Sequence, residues 1–194
     1  MKAHQKLITI GVFIWIITGY VSNSFSQDTT GLLFDCFSIV VGKDASADGS
    51  VLFAHNEDTG IKLVNTFKVP AHKKTASVIK LAQGGEMPSW EHSFGYLWFN
   101  LPGIQVCDTY LNDQGVAIGS DGCPSKEKDP ELENGGIVFW LRRAVAEQAT
   151  NAREGVILAG QLIDQYGYHG SGRTYIIADA EEAWMLAVVN GKHW

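Results

Sequence analysis

Between Ile137 and Tyr166 the apolar residues of this chain change their period, and that change governs what the chain can fold into. Upstream, short β-branched and aromatic runs alternate with polar turns. Within the segment, Ile137, Val138, Trp140, Leu141, Ala144 and Val145 recur at helical spacing. Arg142, Arg143 and Glu147 fall on the other side, so Arg142-Arg143 is expected on the wet face. Asn151 followed by Glu154 is a capping-box pattern opening a second helix through Val156, Ala159, Leu162, Ile163 and Tyr166, and Gly167 closes it. Downstream, Arg173–Asp179 and Ala183–Val189 read as strands joined by a short acidic turn. An order of strands, two helices, then strands predicts a layered α+β architecture with helices packed on a sheet.

The upstream strands are expected at Cys36–Gly42 and Val51–His55, paired as a hairpin, and at Thr66–Val69, Val78–Leu81 and Gly95–Phe99. A second hairpin joins Gln105–Leu111 to Gly115–Gly119 around Asn112-Asp113-Gln114-Gly115. Gly170-Ser171-Gly172-Arg173 follows a helix and precedes a strand. A phosphate cradle needs the reverse order, so this reads as a helix-to-strand turn. Val189-Asn190-Gly191-Lys192 reads as a hairpin turn, with His193-Trp194 starting another strand. Trp90, Trp98, Trp140 and Trp184 are expected in the core or in a pocket wall.

Composition excludes several classes. With 45% hydrophobic and 19% charged residues, the 194-residue chain is neither disordered nor collagen-like nor a coiled coil. A net charge of −6 and no run of Lys or Arg longer than two leave no basic stripe to neutralise phosphates, so nucleic acid is not an expected partner. Lys2 and Lys6 precede the 15-residue apolar run Leu7–Val21, and small residues precede a cut after Ser26. That is the layout of a secretory signal peptide, and the run falls short of the ~20 residues that span a bilayer. The expectation is an exported protein, periplasmic or extracellular, with no stable membrane anchor after cleavage. Residues 1–26 are then the signal, 27–35 a short propeptide and 36–194 the folded part.

Three cysteines remain. Cys107 and Cys123 flank the second hairpin and could pair; three free thiols are the alternative. Cys36 on an apolar strand could be a small core residue. Its place suggests more, because it stands only nine residues beyond the signal cut. If those residues came off, Cys36 would carry a thiol of pKa ~8.5 and an α-amine of ~7.7–8.0. The amine could take the thiol proton near neutral pH, giving an amine-activated nucleophile that needs no separate His base. The five histidines beyond the signal show no metal-ligand spacing, so no metal is expected.

The stretch from Asp35-Cys36-Phe37-Ser38-Ile39-Val40-Val41-Gly42-Lys43 through Ala47-Asp48-Gly49-Ser50 to Ala54-His55-Asn56-Glu57-Asp58-Thr59 resembles the start of the PepD-type dipeptidases. These are N-terminal-nucleophile cysteine hydrolases, cysteine peptidase family sixty-nine, related in fold to bile salt hydrolase and penicillin V acylase. The likeness continues in Asn112–Gly119, Ala152–Val156 and Trp184–Trp194. It implies a four-layer αββα fold, with two antiparallel sheets between helices. It implies Cys36 as nucleophile and, by its α-amine, as base, with Asp58 steadying that amine. The family usually has an Arg three residues before this Asp, near the thiol; here the position is His55. One oxyanion-stabilising Asn is expected after the Asn112–Gly119 hairpin, where Ser120-Asp121-Gly122 stand instead. Family members are much longer, so the chain is expected to be the N-terminal part of the catalytic domain. The implied activity is hydrolysis of dipeptides through a thioester, without cofactor. An amide hydrolase of the choloylglycine-hydrolase and penicillin-V-acylase kind, and an inactive envelope binding or structural protein with Cys36 internal, are the alternatives.

Overall fold

In the computed structural model the described residues are 36–58, 64–127, 132 and 135–194; the expected signal and propeptide lie outside them. In chain order the strands are β1 (Phe37–Val41), β2 (Leu52–Asn56), β3 (Asn65–Val69), β4 (His72–Lys73), β5 (Val78–Lys80), β6 (Glu86–Pro88), β7 (His92–Ser93), β8 (Tyr96–Asn100), β9 (Asp108–Asn112) and β10 (Ala117–Gly122). Helices α1 (Trp140–Gln148) and α2 (Ala152–Tyr166) follow, then β11 (Tyr168–Ala178) and β12 (Ala183–Gly191).

β1 and β2 form the expected hairpin, with Ser38 opposite His55. Strand alternation decides which of its residues face inward. Phe53 and His55 are half-buried, whereas Phe37, Ile39 and Leu52 are exposed. The main sheet has six strands in the order β12-β11-β10-β9-β8-β3, every neighbour antiparallel. Two small ribbons, β4–β7 and β5–β6, lie apart from it.

The two faces of β10 carry different partners. Ile118 and Ser120 are buried on the helix side: Ile118 joins the core with Leu141, Val145 and Ile163, and Ser120 meets Arg142 of α1. Gly119 and Asp121 face the hairpin, close to His55. The described layers are therefore hairpin, six-stranded sheet and two helices. The α+β class stands, and a further helical layer outside the hairpin is not among the described residues.

Gly119 sets the distance between hairpin and sheet. A Cβ there would lie 2.9 Å from Phe53 Cζ, 3.3 Å from Thr109 Oγ1 and 3.4 Å from His55 Cγ. Gly119→Ala is expected to cost about 1–3 kcal/mol, the range for overpacking, through a lower urea midpoint. Gly122→Ala, three residues along the same strand with nothing within 4 Å of its added Cβ, is expected to be near neutral.

α2 is capped as expected. Asn151 Oδ1 accepts the Glu154 N–H at 2.9 Å, while the Glu154 carboxylate reaches back to the Thr150 N–H at 3.2 Å. Gly167, at φ +69°, ends the helix and donates its N–H to Ile163 O at 2.8 Å. Three expectations need correction and one open alternative is decided. Arg142 is not on a wet face; it is fully buried, and Glu147 is nearly so. Of the two alternatives left open for Cys107 and Cys123, the structure shows three free cysteines. Gly170–Arg173 is not a turn but lies within β11, where the register with β12 shifts between Tyr168 and Gly172 and glycines at φ +141° and +139° let the strand bulge. β12 likewise runs on through Gly191, past the start of the expected turn.

Candidate active site

Cys36 immediately precedes β1, and the segment leaving β2 folds back over it. The Asp58 N–H donates to Cys36 Sγ at 3.4 Å, and the thiol donates to Glu57 Oε1 at 3.4 Å. Burial raises the thiol pKa; the Asp58 N–H opposes that rise and the Glu57 charge adds to it. What Asp58 brings to the sulfur is thus its backbone; its side chain is exposed. Glu57 is held above the ordinary carboxylate range by burial and by the Asp108 charge.

His55 lies at the centre of a polar network, its side chain only 6% exposed. Its Nδ1 is 3.1 Å from Asp108 Oδ2 and 2.9 Å from Thr109 Oγ1, which itself donates to Asp108 Oδ2 at 3.0 Å. Its Nε2 faces Asp121 Oδ1 at 3.4 Å and Glu57 Oε2 at 3.9 Å. Burial alone would lower the imidazole pKa; the Asp108 hydrogen bond and the charges of Asp108, Asp121 and Glu57 outweigh it and raise it.

Behind His55, Asp108 bonds the buried Arg142 guanidinium. Arg142 also donates to Ser120 Oγ at 3.1 Å and to Cys107 Sγ at 2.9 Å. Burial pushes the Cys107 thiol up to about 11, so it stays protonated at neutral pH. Burial also works against ionisation of Asp108, but the His55 hydrogen bond and the Arg142 charge prevail and hold it at about 2. His55, Glu57 and Asp108 bring ligand-type atoms within 4.8 Å of one another, a convergence that histidine spacing along the chain does not announce. Both Asp108 oxygens already serve Arg142, His55 and Thr109.

A cavity of about 490 Å³ opens beside this network, lined among others by Phe53, His55, Glu57, Phe99, Leu101, Asp108 and Thr109. That volume is in the range of small-ligand pockets. Apolar rings and aliphatic side chains form its walls, and the charged groups converge beside the thiol's partner Glu57. Of the residues singled out by sequence, Cys36, His55 and the Asp58 backbone come together here. Glu57, Asp108, Thr109, Asp121 and Arg142 join them without having been expected in the site: Glu57 lay within the quoted motif, Asp121 in the stretch where an oxyanion-stabilising Asn was expected, and Arg142 was expected on the wet face.

The network gives stability a pH signature. Asp108 titrates lower in the folded chain than its ordinary 3.8, so its contribution is present above that value and is lost as pH falls toward 2. His55 titrates higher when folded, so its contribution is present below its unfolded value and is lost as pH rises through the folded one. Urea denaturation across pH 2 to 5 is expected to show an acid loss on the order of 2 kcal/mol from Asp108, and Asp108→Asn should remove that part of the slope.

The chain also has counterparts among known proteins. Residues 127–194 match the model of Peptidase family C69. A probable dipeptidase of Latilactobacillus sakei is 31% identical over 173 residues, covering 82% of this chain and 36% of that protein. A probable dipeptidase B of Streptococcus pyogenes serotype M1 is 27% identical over 201 residues, covering 98% and 39%. These matches support a resemblance to the dipeptidases of peptidase family C69. A probable dipeptidase of Salmonella dublin is 26% identical over 182 residues, covering 84% of this chain and 40% of that protein. The chain thus spans less than half the length of these C69 relatives. The C69 family match covers α1, α2, β11 and β12, including Arg142; the match to the streptococcal protein takes in nearly the whole chain.

Proposed function

We propose that this chain is the nucleophile-bearing part of an exported cysteine dipeptidase. The observation that carries the reading is the thiol of Cys36, held between the Asp58 N–H and the Glu57 carboxylate beside a cavity sized for a small peptide. The relatives named as probable dipeptidases support the substrate class.

In this reading the signal peptide 1–26 is removed on export, and Cys36 then attacks the carbonyl of Asp35. The acyl group moves from nitrogen to sulfur, water hydrolyses the thioester, and Cys36 is left with a free thiol and a free α-amine. In turnover the thiol attacks the peptide carbonyl and the α-amine takes its proton. The resulting ammonium returns that proton to the departing amino acid as the C–N bond breaks, leaving a thioester. The amine then activates water, and hydrolysis releases the first amino acid. Asp58 steadies the amine. His55 takes the place of the family's Arg, and its three carboxylate neighbours favour the imidazolium above its ordinary pKa, so the positive charge persists further toward neutral pH. The β1–β2 hairpin is the start of the second sheet of a four-layer sandwich; its exposed Phe37, Ile39 and Leu52 suit a face that an outer layer covers.

The test is amino-acid release from unmodified dipeptides beside N-acyl amino acids of the bile-salt and phenoxyacetyl type. Release of both amino acids from dipeptides is expected. Turnover confined to the acyl amides, or no turnover by a protein whose N-terminus is Cys36, would contradict the reading.

A further inference from the structure

Among the described residues, three polar atoms around His55 and Glu57 are buried without a hydrogen-bond partner: His55 Nε2, Glu57 Oε2 and Asp121 Oδ1. His55 Nε2 lies 3.4 Å from Asp121 Oδ1 and 3.9 Å from Glu57 Oε2, within ion-pairing distance but not aligned for a hydrogen bond. The His55 side chain is 6% exposed and the Glu57 side chain 12%. Buried polar groups are ordinarily satisfied, and unsatisfied ones ask for an explanation. Asp108 has one, being matched by Arg142, His55 and Thr109. Glu57 is different: among the described residues no cationic group hydrogen-bonds it, and its one ion-pairing neighbour is the more distant His55.

We infer that Glu57 is the seat of the substrate's α-ammonium group, and that it restricts the site to peptides with a free N-terminus. The inference rests on the dipeptidase reading of Cys36. The geometry follows from covalent distances. In a dipeptide the α-nitrogen stands about 2.5 Å from the scissile carbonyl carbon. An attacking sulfur needs that carbon about 3–3.5 Å away. Glu57 Oε1 is itself 3.4 Å from Cys36 Sγ, and Glu57 lines the cavity. A carbonyl poised for attack therefore carries its ammonium into the neighbourhood of Glu57, whose second oxygen accepts no hydrogen bond among the described residues. The ammonium supplies the donors and the charge that the carboxylate lacks. An N-acylated peptide, or an internal peptide bond, brings a neutral amide to the same place and leaves the buried carboxylate without the charged donor it would otherwise gain, the strong kind of discrimination. The apolar walls formed by Phe53, Phe99 and Leu101 then receive the first side chain.

The test measures binding apart from turnover. The probes are the ketomethylene isostere of dialanine, which cannot be cleaved, and its N-acetyl derivative. Each is titrated calorimetrically into the mature protein and into Glu57→Gln, both checked by mass to begin at the same residue. The mature protein is expected to bind the free-amine probe roughly 10- to 100-fold more tightly than the acetylated one, the worth of a hydrogen bond to a charged group. Glu57→Gln should abolish the preference by weakening the free-amine probe alone. Glu57→Asp, which keeps the charge on a shorter arm, should retain part of it and also covers the case in which E57Q fails to fold or mature. Equal affinity for both probes, no measurable binding of the free-amine probe, or an equal loss for both in the variants would overturn the inference. Free-amine selectivity that depends on Glu57, in a protein that releases no amino acids from dipeptides, would instead count against the dipeptidase reading.

Discussion

Arg142→Met is expected to destabilise the protein by about 3–5 kcal/mol, the range for removing one partner of a buried ion pair. The guanidinium is fully buried in α1 and bonds Asp108, Ser120 and Cys107 together. Without it the Asp108 carboxylate, itself buried, keeps His55, Thr109 and the long 3.7 Å bond from the Cys107 thiol, none of them a fixed positive charge. Its pKa should then rise, so the acid limb of the stability curve moves toward neutral pH. Phe139, whose ring lies 5.0 Å from the guanidinium, also loses a cation–π contact. Urea denaturation at pH 7 measures the effect. The double variant Arg142→Met with Asp108→Asn should recover much of the loss, because it removes the stranded charge as well as its partner. A single-variant loss under 1 kcal/mol would mean that the pair does not organise this region.

The same residue shows where sequence stops informing. The period of Ile137–Val145 reveals a helix, Asn151 and Gly167 its successor's ends, and the β-branched runs the strands, because each of these signals is local. What a helix's polar side meets is not local. Arg142 and Asp108 stand 34 positions apart, and nothing in either neighbourhood announces the other. Alternation does the same to β10, placing Ser120 against α1 while Asp121 meets the hairpin, and Asp108 at the start of β9 reaches both, Arg142 with one oxygen and His55 with the other. Cys36 and His55 were legible through short motifs. Glu57 sat in the same motif, yet its contact with the thiol depends on how the chain turns after β2. In β11 the pair Gly170 and Gly172 signals a backbone departure, and only pairing with β12 tells a bulge from a turn.

Cys36→Ala is expected to lower dipeptide hydrolysis by at least about 10³-fold, as loss of a catalytic nucleophile does. Stability should change little, since among the described residues the half-buried thiol makes two weak hydrogen bonds, to Glu57 and from Asp58. Cys123→Ala, at an exposed position, should leave activity unchanged. Cys107 is the informative contrast. Its thiol is buried and held at about 11, so alkylation near neutral pH should spare it while inactivation follows modification of Cys36. Inactivation that tracked Cys107 instead would move the nucleophile to the other side of Asp108.

The central claim is that Cys36 acts with its own α-amine, and the mass of the N-terminus tests it most directly. Intact-mass spectrometry and N-terminal sequencing of the active protein, beside Cys36→Ala made in the same way, give the answer. The active protein should begin at Cys36, and the variant should retain Gln27–Asp35. A protein that hydrolyses dipeptides while still carrying Asp35 would contradict the free-amine mechanism.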